Sequence, residues 1–369
     1  MASKKNDIII SGYYGLGNSG DEALLKSIVD NLRRLSPDIR ITALSGNARH
    51  TRETYGINTV DRFDPFAVFR EMRRSKLLIS GGGSLIQDAT STKSLLYYLT
   101  IINVAKLLGL KVMLYANGMG PISDKNVPKV TRVLNKVDLI TLRENISMAE
   151  LQRCRVTRPK IEITADPAYL LQPCPKNEAA ELMKSFGVNG RAVAISVREW
   201  SSAGDGFEAE IAKAADMLAE KGYTPLFFPM QMSKDLAISR SIMRRMKTPG
   251  AIIDREITVS QMLGIIRECG AVIGMRLHSL IFASSVNVPM LGIIYDPKIR
   301  GSMEYMNQRR YIDVTEVSGE ALCAMAMDCL ENSDNIRSRL AEENEALRDK
   351  AAMNAVLALE LLKQNGESI

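Results

Sequence analysis

Residues 270–298 read GAVIGMRLHSLIFASSVNVPMLGIIYDPK. The runs AVIG at 271–274 and PMLGIIY at 289–295 are continuously apolar, with no polar residue at alternate places. Such runs suit strands covered on both faces of a parallel sheet, because one solvated face would force an alternation. Just past the first run stand Arg276, Leu277 and His278, and a second apolar stretch begins at residue 280. Just past the next strand-like run stands Lys298. His278 is one of only 2 histidines in the chain. Ligands of open α/β sheets sit off the carboxyl ends of the strands. This segment therefore decides the fold and also marks the sheet end where chemistry should be sought.

Outward from it, runs of the same kind recur along the whole chain. They are DIIISG at 7, IRITALS at 39, KLLISGG at 76, KVMLYANG at 111, DLITLRE at 138 and IEITADP at 161 in the first half. In the second half they are RAVAISVRE at 191, TPLFFPM at 224, AIIDR at 251, GAVIGMR at 270, PMLGIIY at 289 and YIDV at 311. Between them lie stretches with apolar spacing of three and four, such as DEALLKSIVDNLRRL at 21. Repeated strand–helix units predict an α/β protein, and 369 residues exceed one ordinary domain. We read two doubly wound, Rossmann-like domains facing a cleft, with roughly six strands in each half. The expected boundaries are 1–172 for the first domain, 190–335 for the second, and 336–369 for a helix packing on or across them. The seam falls at 171–190, LQPCPKNEAAELMKSFGVNG, which holds two prolines and two glycines.

Composition narrows the function. Apolar residues make up 46% of the chain, enough for a core in each domain, and the formal net charge is +6. A moderate positive charge fits an anionic ligand or an anionic membrane face. The basic residues are scattered and aromatics are only 5%, which argues against nucleic acid. Cys154, Cys174, Cys269, Cys323 and Cys329 form no C-x-x-C pair. An odd number without that spacing reads as reduced thiols in a cytosolic protein. The opening MASKKNDIIISGYYG has too short an apolar run for a signal peptide. The longest apolar stretch, at 95–116, is broken by Lys106, Gly109 and Lys111, and so reads as helix then strand. With 2 histidines and no H-x-x-x-H or D-x-D, no metal or cofactor is expected.

The chemistry-bearing residues follow strands. SGYYGLGNSGDEALL at 11–25 contains Gly15, Gly17 and Gly20 in G-x-G-x-x-G spacing and opens a helix. SGGGSLIQD at 80–88 carries Gly82 and Gly83, and NGMGP at 117–121 carries Asn117. Such turns either let a backbone approach a ligand or pack a strand tightly on its helix. Asp21 and Glu22 in the first turn argue against a simple dinucleotide fingerprint. Asn18, Asp21, Glu22 and Asp166 join the glycines as ligand candidates, and Asp21, Glu22, Glu144 and Asp166 as acid/base candidates. Asp166 before a proline also suits a turn former, and Glu144 can pair with Arg143. In the second half Arg198, Arg276, His278 and Lys298 all follow strands. Singly each cation is an ordinary surface charge. Together at one sheet end they predict an anionic ligand, well served if it carries both carboxylate and phosphate.

GYYGLGNSGDEAL, LLISGGGSLIQD, ANGMGP, ITLRE, TADPA, SVRE, IGMRLHSLIFA and YDPK, in that order over about residues 8–300, resemble the polysaccharide pyruvyl transferase family. The closest branch is the bacterial one that pyruvylates secondary cell wall polymer, on which S-layer proteins anchor. The resemblance implies a fold like two-domain GT-B glycosyltransferases, phosphoenolpyruvate as donor and a sugar as acceptor. It implies a pyruvate ketal across two hydroxyls, with phosphate released. It places Arg198, Arg276, Leu277, His278 and Lys298 around the donor in the second domain. The acceptor side falls to the first domain, with Gly15, Gly17, Asn18, Asp21, Glu22, Gly82, Gly83, Asn117 and Asp166 as its candidates. In that branch the acceptor is a lipid-linked diphosphoryl disaccharide containing N-acetylmannosamine. His278 either protonates the donor's methylene or binds its phosphate. The rival readings are a nucleotide-sugar glycosyltransferase of the same architecture and a non-catalytic, membrane-docked sugar- or anion-binding module.

The stretch FDPFAVFREMRRSK at 63–76 sets Phe63, Phe66 and Phe69 near Arg70, Arg73, Arg74 and Lys76. The simpler reading is a helix covering the sheet. The other is a surface resting on anionic lipid at the inner face of the cell membrane. The chain thus reads as cytoplasmic, with peripheral membrane contact under the second alternative.

Overall fold

The computed structural model describes residues 7–89, 91–200 and 204–364, with the side chains of 204 and 205 left aside. The first six residues of the opening segment and the last five of the expected C-terminal helix lie outside the described residues. The chain divides into two units, Met1–Leu170 with Leu347–Ile369, and Leu171–Ala346.

In chain order the first unit holds β1 (Ile8–Ser11), α1 (Ser19–Leu35), β2 (Ile41–Ser45), α2 (Ala48–Tyr55), β3 (Asn58–Asp61) and α3 (Pro65–Met72). Then come β4 (Leu77–Ile86), α4 (Thr92–Leu107), β5 (Lys111–Met119), α5 (Val127–Leu134), β6 (Leu139–Leu142), α6 (Ile146–Arg153) and β7 (Lys160–Ile163). All its strands pair in parallel in the order β3-β2-β1-β4-β5-β6-β7. Chain order reverses between β1 and β4, which is the switch point where such sheets take ligands. The sheet has seven strands rather than about six. The extra one is the edge strand β3.

The second unit holds α7 (Lys176–Ser185), β8 (Ala192–Ser196), α8 (Gly204–Glu220), β9 (Thr224–Phe227), α9 (Met232–Arg245), β10 (Ala251–Ile252) and α10 (Val259–Glu268). It continues through β11 (Ala271–Gly274), α11 (Leu277–Ser285), β12 (Met290–Ile294), α12 (Pro297–Tyr305), β13 (Tyr311–Asp313), α13 (Gly319–Glu331) and α14 (Ser333–Lys363). Its parallel sheet runs β10-β9-β8-β11-β12-β13, with the switch between β8 and β11. The segment 171–190, expected as the seam, contains α7 and groups with this unit. Cys174 donates its N–H to the Ser260 carbonyl at 2.8 Å, and Gln261 donates to Glu178 at 2.8 Å, tying α7 to α10.

The strands form for the reason their sequences suggest. β1, β2, β8, β11 and β12 are buried at every position, so only unbroken apolar stretches satisfy both faces. Helix starts are set by side chains that take first-turn N–H groups: Asn18 at α1, Asp64 at α3, Thr258 with Gln261 at α10 and Asp296 at α12. The last helix carries two fully buried asparagines. Asn344 donates to the Ser284 carbonyl at 2.6 Å in the second unit, and Asn354 to the Ala165 carbonyl at 3.2 Å in the first.

Candidate active site

In the second unit β8, β11 and β12 are neighbours, with Ser196 beside Gly274 and Gly274 beside Gly292. Their carboxyl ends carry the candidate cations side by side: Arg198 past β8, Arg276 and His278 past β11, Lys298 past β12. Arg198 reaches across the end of β11. Its Nη1 donates to the Tyr295 hydroxyl at 2.8 Å, and its guanidinium lies 4.7 Å from the Tyr295 ring centre. Trp200 packs on the same ring at 5.1 Å. Nε of Arg198 is buried and donates to nothing, and among the described residues no carboxylate pairs with this guanidinium.

Arg276 is different. Its Nε donates to Oδ2 of Asp235 at 3.0 Å and its Nη2 to Oδ1, so two of its three nitrogens are taken. Asp235 is fully buried and also accepts from the N–H groups of Met230 and Gln231 at 3.2 and 2.9 Å. Expected as a free cation, Arg276 is a fork held in place by a carboxylate four residues into α9. A search of residues directly after strands passes over Asp235, which no spacing marks, while Tyr295 stands directly after β12 but reads as the end of its apolar run. Leu277 opens α11 and is half-buried; His278 follows it, half-buried, with its ring 6.2 Å from that of Phe282. No side chain caps α11, whereas Asp296 caps α12 by accepting from the Lys298 N–H at 2.9 Å. The positive end of α11 thus faces the region between Arg198 and Lys298 without an anion of its own.

The glycine loop of the first unit serves itself. Asn18 accepts from the N–H groups of Gly20 and Asp21 at 3.0 and 3.4 Å. Glu22 accepts from the Gly15 N–H and from the Tyr55 hydroxyl, both at 2.7 Å. The N–H groups of Gly15, Gly20 and Asp21 are therefore already occupied, and Asn18 and Glu22 hold loop to helix. Asp21 is half-buried in that first turn, and its Oδ1 lies 3.3 Å from where a Cβ on Gly83 would stand. A Cβ on Gly15, at φ +69°, would stand 2.1 Å from the Ser45 hydroxyl; Gly17 has open space around it. Gly82 and Gly83 have φ of +50° and +76°, and β4 loses its register after Gly83. A Cβ on Gly82 would press on Leu24 at 2.8 Å, so this turn lets α1 lie close on β4.

Asp166 accepts from Arg143 Nη1 at 2.7 Å, and Glu144 from Arg143 Nε at 3.2 Å. All three side chains are at most 4% exposed. The acid/base candidates Glu144 and Asp166 are thus partners of one buried arginine, and Ser147 also bonds to Glu144. Asn117 is fully buried; its amide donates to the carbonyls of Ser80 and Tyr115 at 3.0 and 3.1 Å, and its Oδ1 accepts nothing. It lies near the switch point, where Ser11 of β1 and Ser80 of β4 sit side by side with hydroxyls that also lack partners. Among the described residues no group of three His, Cys, Asp or Glu is placed to hold a metal ion, and no helix is long and apolar enough to cross a membrane.

Similar proteins agree with this architecture. A solved putative UDP-N-acetylglucosamine 2-epimerase from Listeria monocytogenes matches with a TM-score of 0.67 at 11% identity, covering 99% of this chain and 98% of that one. A glycosyltransferase from Rickettsia africae ESF-5 matches with a TM-score of 0.64 at 11% identity, over 99% and 100%. At such identities the likeness speaks for the fold alone, and that fold is GT-B-like. Among curated proteins, the amylovoran biosynthesis protein AmsJ of Erwinia amylovora is 20% identical over 421 residues, covering 97% of this chain and all of that protein. The family model for polysaccharide pyruvyl transferases matches residues 18–297, a span that runs from the cap of α1 through every cation of the second-unit cluster but Lys298. On that match the chain belongs to the polysaccharide pyruvyl transferase family, and it is a pyruvyltransferase.

Proposed function

We propose that the second unit binds phosphoenolpyruvate at the ends of β8, β11 and β12, and that the pyruvyl group passes to a sugar as a ketal. The observation that carries this reading is Arg198. A guanidinium stacked on Tyr295, with a buried nitrogen lacking a partner and no ion pair among the described residues, is a cation kept for a ligand anion. Arg276, aligned by Asp235, adds a fixed donor, and the start of α11 adds a partial positive charge. Lys298 completes the ring of charge around carboxylate and phosphate.

In this reading His278 gives a proton to the methylene carbon of the donor. The central carbon then takes the oxygen of one sugar hydroxyl, which loses its proton. The bond to the bridging phosphate oxygen breaks, phosphate departs with the electron pair, and a second hydroxyl adds and loses its proton. The cations stabilise the charge on the leaving phosphate. The acceptor is a lipid-linked diphosphoryl disaccharide bearing N-acetylmannosamine, a secondary cell wall polymer precursor, met at the inner face of the cell membrane. Family membership and the amylovoran relative support a polysaccharide acceptor; the lipid-linked form rests on motif resemblance and on the exposed aromatic helix considered below.

The test is to incubate the protein with phosphoenolpyruvate and a diphosphoryl disaccharide, following phosphate release and the mass of the acceptor. A pyruvyl ketal on the acceptor with equal phosphate release is expected. Replacing His278 with Ala should lower turnover on the order of 10²–10⁴-fold while the melting temperature holds. Stabilisation by nucleotide sugars but not by phosphoenolpyruvate would instead favour the glycosyltransferase reading, and binding without phosphate release the non-catalytic one.

A further inference from the structure

The first unit holds a second arginine of the same kind, and no motif pointed to it. Arg62 follows the edge strand β3, and its backbone N–H donates to the Ser45 carbonyl at the end of β2 at 3.0 Å. Its side chain then crosses to the end of β1, where Nη1 donates to the Gly12 carbonyl at 2.8 Å and Nη2 to the Tyr98 hydroxyl at 3.5 Å. The guanidinium lies 4.5 Å from the Tyr97 ring and 5.7 Å from that of Tyr98. Arg62 is 9% exposed, its Nε is buried without a partner, and it makes no ion pair among the described residues. The hydroxyl of Tyr97 faces Ser11 and Arg62 but meets hydrogen-bond geometry with neither. Burial pushes the Tyr98 hydroxyl up to about 12 although Arg62 pulls the other way. Its ring wall is therefore neutral, and although Asp21 and Asp61 lie near enough to act on Tyr98 and Tyr97, neither forms an ion pair with Arg62.

A buried, unanswered guanidinium is costly, because its hydration is lost and no anion replaces it. The same chain avoids that cost at Arg143 and Arg276 by placing carboxylates beside them. Bracing α4 against β1 does not need a charge. What surrounds Arg62 fits a small, highly charged anion: the unpartnered guanidinium Nε, the Tyr97 hydroxyl and the Ser11 hydroxyl, gathered beside the switch point of the sheet. The anion's other end is indicated by the neighbouring residue. Phe63, whose ring is 5.7 Å from the guanidinium, is 69% exposed, and α3 continues with Phe66 at 85% and Phe69 at 46%.

We propose that Arg62, Tyr97 and Ser11 form a phosphate subsite for a lipid-linked acceptor, with the lipid leaving over the exposed phenylalanines of α3. The proposal rests on the acceptor class given above and assigns the side chains that hold its phosphate. It is tested on the full chain by calorimetric titration with farnesyl diphosphate, inorganic diphosphate and phosphoenolpyruvate. The variants are Arg62→Gln, Tyr97→Phe and Arg198→Ala. Farnesyl diphosphate should bind more tightly than inorganic diphosphate. Its affinity should fall at least tenfold in Arg62→Gln and several-fold in Tyr97→Phe, which keeps the ring under the guanidinium, and should hold in Arg198→Ala. Phosphoenolpyruvate affinity should show the opposite pattern, falling in Arg198→Ala and holding in Arg62→Gln. Unchanged farnesyl diphosphate affinity in an Arg62→Gln protein that melts like wild type overturns the subsite. Should Arg62→Gln not fold, unchanged affinity in Tyr97→Phe overturns it. Inorganic diphosphate binding as tightly as the prenyl compound overturns the lipid-linked assignment. Loss of the phosphoenolpyruvate pattern alone sinks the donor reading and leaves this one standing.

Discussion

Arginines at the carboxyl ends of the two sheets come in two kinds, and each unit has one of each. Arg143 in the first unit and Arg276 in the second are answered by carboxylates, Asp166 with Glu144 and Asp235. Arg62 and Arg198 are answered only by tyrosines and a carbonyl, and each keeps a buried Nε without a partner. Both of the latter leave one strand and cross the end of its neighbour, Arg62 reaching β1 at the first sheet's switch point and Arg198 crossing the second sheet's switch point toward β12. An arginine beside its own carboxylate is neutralised before any ligand arrives. One stacked on a neutral ring holds its geometry and keeps its charge available. Position after a strand is common to all four. Counter-charge separates arginines held as fixed forks from those whose charge is left for a ligand.

Removing a counter-charge is the strongest way to break the comparison. Asp235→Ala leaves Arg276 with 16% of its side chain exposed and no anion. Breaking a buried pair on one side costs about 3–5 kcal/mol. Urea unfolding should show a loss of that size, and Asp235→Asn a smaller one. A stability close to wild type in Asp235→Ala would mean that Arg276 also belongs with the available arginines.

The reverse test removes an unanswered charge. Arg198→Ala should leave unfolding nearly unchanged and weaken phosphoenolpyruvate by about 1–3 kcal/mol, as for a charge-assisted contact. Calorimetry with phosphoenolpyruvate measures it, and full affinity in the variant would remove Arg198 from the site. Tyr295→Phe sharpens the same point. It keeps the ring under Arg198 but deletes the hydroxyl that accepts at 2.8 Å. The expected loss is about 0.5–1.5 kcal/mol, so an effect as large as that of Arg198→Ala would make the hydroxyl itself a ligand contact.

These pairs also show what the sequence discloses. Every apolar run read as a strand lies on one, and for the central strands burial on both faces leaves no alternative composition. β3 was not legible. Its sequence is NTVD, with both ends exposed, since an edge strand needs neither apolar face nor length. Missing β3 hid Arg62, which is placed by that strand. Arg198, His278 and Lys298 were visible because they stand just after strands that the pattern did reveal. The partners Asp235, Tyr295 and Tyr97 were not, since each comes from a different element and only the folded sheet joins them. Asp166 and Glu144 were legible as residues but not in their role: a carboxylate after a strand looks the same whether it faces a substrate or an arginine.

The last comparison lies in α3 and the residues flanking it, where buried and exposed side chains alternate within one short segment. Val68 and Met72 are buried against the sheet, while Phe63, Phe66 and Phe69 are exposed together with Arg70, Arg73 and Arg74. Covering the sheet explains the first pair and leaves the aromatic face without a reason. Scattered single apolar side chains on a surface are ordinary, but three phenylalanines within seven residues of one another, in a chain holding 8, make a patch. Aromatic rings beside arginines suit the boundary of an anionic bilayer, where each basic residue contributes about 1 kcal/mol. Co-sedimentation should show binding to anionic vesicles above neutral ones. Arg70, Arg73 and Arg74 changed together to Ser should reduce it on the order of tenfold or more, and raised salt should do the same, since screening shortens the reach of the charges. Phe66→Ser should weaken binding to both vesicle types, because the ring's contribution is apolar burial. Equal binding to the two vesicle types, with no loss in the triple variant, would separate α3 from the lipid and require another partner for its exposed face.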